Sequence, residues 1–324
     1  MILWWLITWL MSIPLRSGAV VMATGIVAIG LSRIGITALS DPLLAAAAAI
    51  WLLLVVAAGL RLRVDSAALR SELSSPAALS LVAATGVLGA AAVGLGWKVP
   101  AAGLLALSAL LLVVLTVPVL RSWQTPTQGV SFLLAVAVAS VSVAASELSR
   151  AAGVGWLVIP AGICWALALL AYLFVFSRFE LRELLSGRGD HWVAGGALTI
   201  AALAGGELCL SLRANGHPFS SAVEVVVTLL WAAASAWMVA LLLSELARPR
   251  WGYHHLRWAT VFPLGMYGVG SSVLGTILSA APLQSLAVVF VWIGFGAWLL
   301  VAAGLLSRGP APIAKPPLQE TGAG

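Results

Sequence analysis

The chain is short of charge. Asp, Glu, Lys and Arg make up 9% of its 324 residues, and none occurs between positions 258 and 307. A soluble domain carries about 25% charged residues. With 62% hydrophobic residues and a mean hydropathy of +1.08, no water-soluble fold could hide this much apolar surface. The sequence therefore describes a polytopic membrane protein. Cysteine is scarcer still. Cys164 and Cys209 fall in separate predicted spans at unrelated depths, which favours two packing residues over a disulfide or a metal site.

Catalytic signatures are missing too. There is no Walker glycine loop, no HExxH, and no pair of Asp-rich motifs to hold magnesium and a diphosphate. His191, His217, His254 and His255 sit at predicted span ends or in loops, where interface anchoring accounts for them. The chain reads as no enzyme, with no catalytic residue, no metal and no cofactor. Without an ATP-binding signature, any transport is passive or ion-coupled.

What is present is a series of stretches with at most one charged residue, at about 17–36, 43–60, 76–96, 101–120, 129–146, 154–176, 192–212, 222–243, 259–279 and 285–306. Each approaches the roughly 20 residues that cross a hydrocarbon core. The expected fold is all-α, with ten transmembrane helices as five helical hairpins. We number these spans 1 to 10. Residues 1–16 read as an N-terminal interfacial segment, because Met1–Leu10 lacks a basic start and a small-residue cleavage site. Residues 17–306 form the ten-helix domain. Residues 307–324, rich in Pro, Gly and Ala, read as a disordered cytoplasmic tail.

The formal charge of +6 invites a nucleic-acid partner, but the distribution rejects it. With the N-terminus inside, only Arg33, Lys98, Arg150 and Arg213 of the seventeen basic residues fall outside. This is the positive-inside bias, and it predicts cytoplasmic N- and C-termini in a cell membrane. The lipid bilayer, not a polyanion, is the implied surroundings.

Odd and even spans differ. Spans 1, 3, 5, 7 and 9 carry Thr24-Gly25, Thr85-Gly86, Ser140 and Ser142, Gly205-Gly206 and Gly270-Ser271-Ser272 in their middles. Even spans are mostly Leu, Val, Ala and Trp. Small residues let helices approach closely, and hydroxyls can line a polar path. Plain helix packing explains the glycines well and the odd–even bias less well. The two Thr-Gly steps also hint at a repeat of one hairpin.

Intramembrane charge is confined to the outer ends of spans, at Arg33, Glu147, Glu207 and Glu224. Snorkelling to the surface is one reading. An outer vestibule that draws in anions, with Arg33 and Arg213 on its rim, is the other, although Asp41 and the glutamates nearly cancel its field. No charge is expected near the midplane of an odd span, which favours selection by size, hydroxyls and backbone dipoles over coupling through a buried carboxylate. Span 9 opens with Trp258-Ala-Thr-Val-Phe262-Pro263-Leu-Gly-Met-Tyr267. A proline within a lipid-buried helix needs a compensating environment. The Phe-Pro step either lines a pathway or packs beside a simple bend.

Three segments resemble the tellurite-resistance/dicarboxylate transporter (TDT) family, which includes slow anion channels, malate permeases and sulfite efflux pumps. They are Ser17–Leu31, His191–Gly205 and, most specifically, Trp258–Tyr267. Gly129–Ser140 is a looser fourth. The resemblance implies five hairpins around a quasi-fivefold central pore, odd spans on the pore and even spans outside, in homotrimers. It also implies that small inorganic or organic anions pass, chloride- or nitrate-like or C4-dicarboxylate. A phenylalanine plug falls on Phe262, with Pro263 beside it. Pore-lining positions are then Thr24, Gly25, Thr85, Gly86, Ser140, Gly205 and Thr260. A proton-coupled malate or sulfite carrier is the alternative within the same fold; an intramembrane enzyme or accessory scaffold lies outside it. Two departures stand out. Spans 1, 3, 5 and 7 have no mid-helix proline, and Phe262 lies only about 7 Å along the helix from Arg257.

Overall fold

A computed structural model describes residues 2–182, 189, 191–249 and 253–307. Most of the tail, with Arg308 and Lys315, lies outside the described residues, as do Arg188 and Arg250. Among the described residues, ten helices are long and apolar enough to cross a membrane. They are Leu15–Arg33, Thr37–Val64, Pro76–Gly94, Lys98–Arg121, Gly129–Ala152, Gly155–Phe176, Trp192–Ala214, Ser220–Ala247, His255–Ile277 and Ala281–Leu306. All ten expected spans are present. Spans 2 and 8 each run to 28 residues, longer than the stretches expected from the sequence, because Asp41, Arg61 and Glu245 continue the helices rather than end them.

The odd–even difference in composition becomes an inside–outside difference in space. Between 67% and 94% of the most apolar window of each odd span is buried, against 17% to 22% for each even span. Span 1 packs on span 3, span 3 on span 5, span 5 on span 7, span 7 on span 9, and span 9 back on span 1. Five small-residue helices therefore close an inner ring. Each even span lies outside, against its own hairpin partner and the next odd span. Its Leu and Val side chains, such as Leu110, Val113, Leu170 and Leu229, remain uncovered by protein, as lipid-facing positions require.

The hairpin is repeated in its backbone as well. At each of the five outer turns one residue adopts positive φ: Gly35, Gly96, Gly153, Gly216 and Ser279. Each turn also closes with an amide-to-carbonyl bond five residues back: Ile36 to Leu31, Trp97 to Ala92, Val154 to Ser149, His217 to Leu212, and Ala280 to Gly275. This is a helix stop in which a left-handed residue satisfies the last carbonyls, a position that suits glycine because it has no Cβ. The fifth hairpin makes the same turn with a serine.

Tryptophans tie the outer layer to the inner one. The indole N–H of Trp51 donates to Thr85 Oγ1 at 2.9 Å, and that of Trp298 donates to Thr24 Oγ1 at 2.9 Å. Trp165 donates to the Ala201 carbonyl at 2.9 Å and Trp231 to Ser271 Oγ at 3.0 Å. Four of the five seams between an even span and the following odd span thus carry an indole bond. A buried indole N–H favours a partner, and each of these four inner helices supplies one oxygen at the right depth.

On the inner face, a helix over Ile2–Met11 packs against span 2. Buried Arg61 anchors the segment that follows it. Its guanidinium donates to the Met11 and Ile13 carbonyls, both at 2.6 Å, and to Glu72 at 3.0 Å. Glu72 in turn accepts from the Leu15 amide at 3.0 Å.

Candidate functional site

Two cavities lie within the ring of odd spans and a third beside it. The widest, of about 580 Å³, lies at the inner end and is lined by the first turns of spans 1, 3, 5, 7 and 9. Arg16, Ser17, Ser75, Ser80, Gln128, Tyr253 and His255 are among its polar residues, and no Asp or Glu lines it among the described residues. Arg16 is exposed and forms no ion pair among the described residues. A cavity lined by an arginine and by no carboxylate favours anions over cations.

Phe262 lines this cavity yet is only 5% exposed. The helical part of span 9 is preceded by a turn over His255–Arg257. Phe262 therefore lies about 11 Å into the span at ~1.5 Å per residue, deeper than a start at Arg257 gives. Pro263 leaves the helix unbroken over Trp258–Ile277. The ring of Pro263 sits over span 7, where a Cβ built on Gly196 would meet its Cγ at 2.8 Å, and Phe262 Cδ1 at 3.5 Å. Glycine at 196 is what makes room for the Phe-Pro step.

One turn further on, Met266 lines the second cavity with Ile26, Gly86, Ser140, Ile200 and Val269. All five odd spans contribute to it, and its volume is only about 20 Å³. That is room for one water. The ring is thus tightly packed at its middle. The third cavity, of about 180 Å³, lies at the outer end between spans 1, 2, 3 and 5.

Between the second and third cavities stands a cluster of four charges. Arg33 of span 1 contacts Glu147 of span 5 at 2.9 Å and Glu207 of span 7 at 2.6 Å. Arg150 of span 5 holds the other oxygen of Glu207 at 2.7 Å. The Glu207 side chain is 0% exposed. The sequence places these charges at the outer ends of their spans; the structure turns them inward and joins them. Nothing in the spacing could reveal contacts across 114 and 174 residues. The available signal was two bases and two acids at matching depth in a chain with almost no other charge.

The remaining expected positions are distributed unevenly. Gly86 and Ser140 border the middle cavity and touch, since a Cβ at Gly86 would lie 3.0 Å from Ser140 Cβ and Oγ. Thr24 and Thr85 face the other way, accepting from Trp298 and Trp51 of the outer layer. Gly25 receives Val87, and Gly205 lies under Trp165 and Val227. Thr260 is half-buried and borders none of the three cavities. Arg33 and Arg213 are not brought together. Arg213 pairs with Glu224 and donates to the Ile277 carbonyl at 3.0 Å, so both arginines are engaged in ion pairs rather than left as open cations. Among the described residues, no group of three or more His, Cys, Asp or Glu could hold a metal ion.

Comparison with known proteins gives the family context. A family model described as voltage-dependent anion channel matches residues 12–306. Two curated relatives, uncharacterized membrane proteins of Mycobacterium tuberculosis strains CDC 1551 and H37Rv, are each 27% identical over 131 residues. That stretch is 39% of this chain and 66% of each relative, so the chain spans just under two thirds of their length.

Proposed function

Because the chain belongs to the voltage-dependent anion channel family, a family of transporters and not of enzymes, we propose that small anions cross the membrane along the axis of its inner ring. In this reading the odd spans line a quasi-fivefold pore, the inner cavity is its cytoplasmic vestibule, and Phe262 is the gate. The observation that carries it is Phe262 itself, buried at the floor of a cavity with basic and no acidic lining, one turn before the packed middle of the ring. Gly86 and Ser140 are the preferred wall positions. Thr24 and Thr85 serve that wall from behind, and Gly25 and Gly205 by letting helices approach. Thr260 stands nearer the inner end of span 9. Arg33 and Arg213 act at the outer mouth through their ion pairs. A cell-membrane location with both termini cytoplasmic accords with the bias of basic residues. A homotrimer with one path per protomer is the assembly the family resemblance implies.

Purified protein in liposomes, assayed with chloride, nitrate, sulfite and malate, tests the reading. Flux of at least one anion, set by its own gradient, is expected; no flux of any, with folded protein, contradicts it. One observation favours a second reading. Glu147 and Glu207 are buried carboxylates beside the axis, as a proton-coupled malate or sulfite carrier would use. Uptake that follows an imposed pH gradient, at fixed anion gradient, separates that carrier from a channel.

A further inference from the structure

The four-charge cluster does not treat its two carboxylates alike. Glu207 is enclosed and has one oxygen on each of two guanidiniums. It holds spans 1, 5 and 7 together and has no route to exchange its partners. Glu147 makes one ion pair, to Arg33. It also lines the middle cavity and the outer cavity at once, as does Arg33. With Ile29 and Ala90, which also border both, the contact between these two side chains forms the partition between the two spaces.

We infer that the Arg33–Glu147 pair is a second, outer gate, in which the Glu147 carboxylate occupies the seat on Arg33 that a passing anion takes. The inference rests on passage along the ring axis. Glu207 accepts from the same Nη2 of Arg33, at 2.6 Å against 2.9 Å for Glu147, so Arg33 stays in place when Glu147 swings away. A guanidinium offers several N–H donors in a planar fork, and the group it holds is a carboxylate. A ligand of the same charge and edge geometry replaces it without leaving the site unbalanced. With two arginines and two glutamates the cluster is neutral; with Glu147 withdrawn it carries one net positive charge. The matching ligand class is a monovalent anion such as nitrate, a halide or a small monocarboxylate. A dianion would overcharge a site that holds two guanidiniums and a fixed Glu207. The exchange keeps every charge in the partition paired, which the low dielectric of the ring demands.

The test uses full-length protein in planar bilayers, in the wild-type and Phe262→Ala backgrounds. Glu147→Gln removes the tethered charge but keeps the side chain's size. In the Phe262→Ala background, it is expected to raise nitrate conductance several-fold and to raise malate conductance less. Glu147→Asp, which keeps the charge but draws it back from Arg33, is expected to move conductance the same way by a smaller amount, and covers the case in which the glutamine variant fails to fold. Nitrate conductance unchanged by both folded variants in that background overturns the outer gate. A rise on Glu147→Gln that is equally large with Phe262 intact keeps the outer gate and removes the case for Phe262 instead. A larger gain for malate than for nitrate overturns the proposed exchange.

Discussion

Replacing Glu207 by alanine probes what holds the outer end of the ring. The side chain is fully enclosed and accepts from Arg33 at 2.6 Å and from Arg150 at 2.7 Å. Removing one member of a buried ion pair costs about 3–5 kcal/mol, because the remaining charge is stranded. Here the stranded charges are two guanidiniums whose side chains retain 28% and 35% exposure. Arg33 also keeps Glu147 as a partner. Hydration and that surviving pair reduce the loss, which we place at about 2–3 kcal/mol. Glu147→Gln should cost well under half as much, since Arg33 then retains the shorter contact to Glu207. Arg70→Ala serves as a surface control, because Arg70 is exposed on the inner face and bonds Ser66 of its own helix. It should fall within about 0.5 kcal/mol of wild type. The assay is tryptophan fluorescence of detergent-solubilised protein titrated with denaturant. A Glu207→Ala variant no less stable than the Arg70 control would refute the reasoning.

Other substitutions test the packing around the ring. Gly205→Ala places a Cβ 2.7 Å from the Trp165 ring and 2.6 Å from Val227, and overpacking of this kind costs about 1–3 kcal/mol. Gly270→Ala, with its nearest neighbour Leu203 at 4.0 Å, should be tolerated in the same titration. Ser279 is the one non-glycine among the positive-φ outer turns, at φ 53°, and Ser279→Gly should stabilise by about 0.5–1 kcal/mol. Arg61→Ala removes both 2.6 Å bonds to the Met11 and Ile13 carbonyls. It should make the chain before Leu15 cleavable by protease in intact vesicles open on that side, with the ten spans still resistant.

The ten spans were readable in the sequence because hydrocarbon demands long uncharged helices and little else in the chain interrupts them. The odd–even bias carried more. It marked the same helices that the structure buries, since small residues let five backbones close a ring. The purpose of the Thr-Gly steps was not readable. A hydroxyl in a small-residue helix can face a path or a neighbour, and the two choices depend on where Trp51 and Trp298 reach, some 34 and 274 residues away. The Phe-Pro step needed a partner as well. Pro263 signals a special environment, but Gly196, which makes room for it, reads as one more glycine among 32. The depth of Phe262 turned on the short turn over His255–Arg257, whose charge resembles a loop. The ion-pair cluster was visible as isolated charges but not as contacts, because pairing between spans has no sequence period.

The proposed gate is tested most directly by the conductance of Phe262→Ala in a reconstituted bilayer, alongside wild type at equal protein density. Opening the floor of the inner vestibule should raise anion conductance, most clearly when Glu147 is also neutralised. A folded Phe262→Ala protein whose conductance equals that of wild type, with Glu147 intact and with Glu147→Gln alike, would contradict the gate.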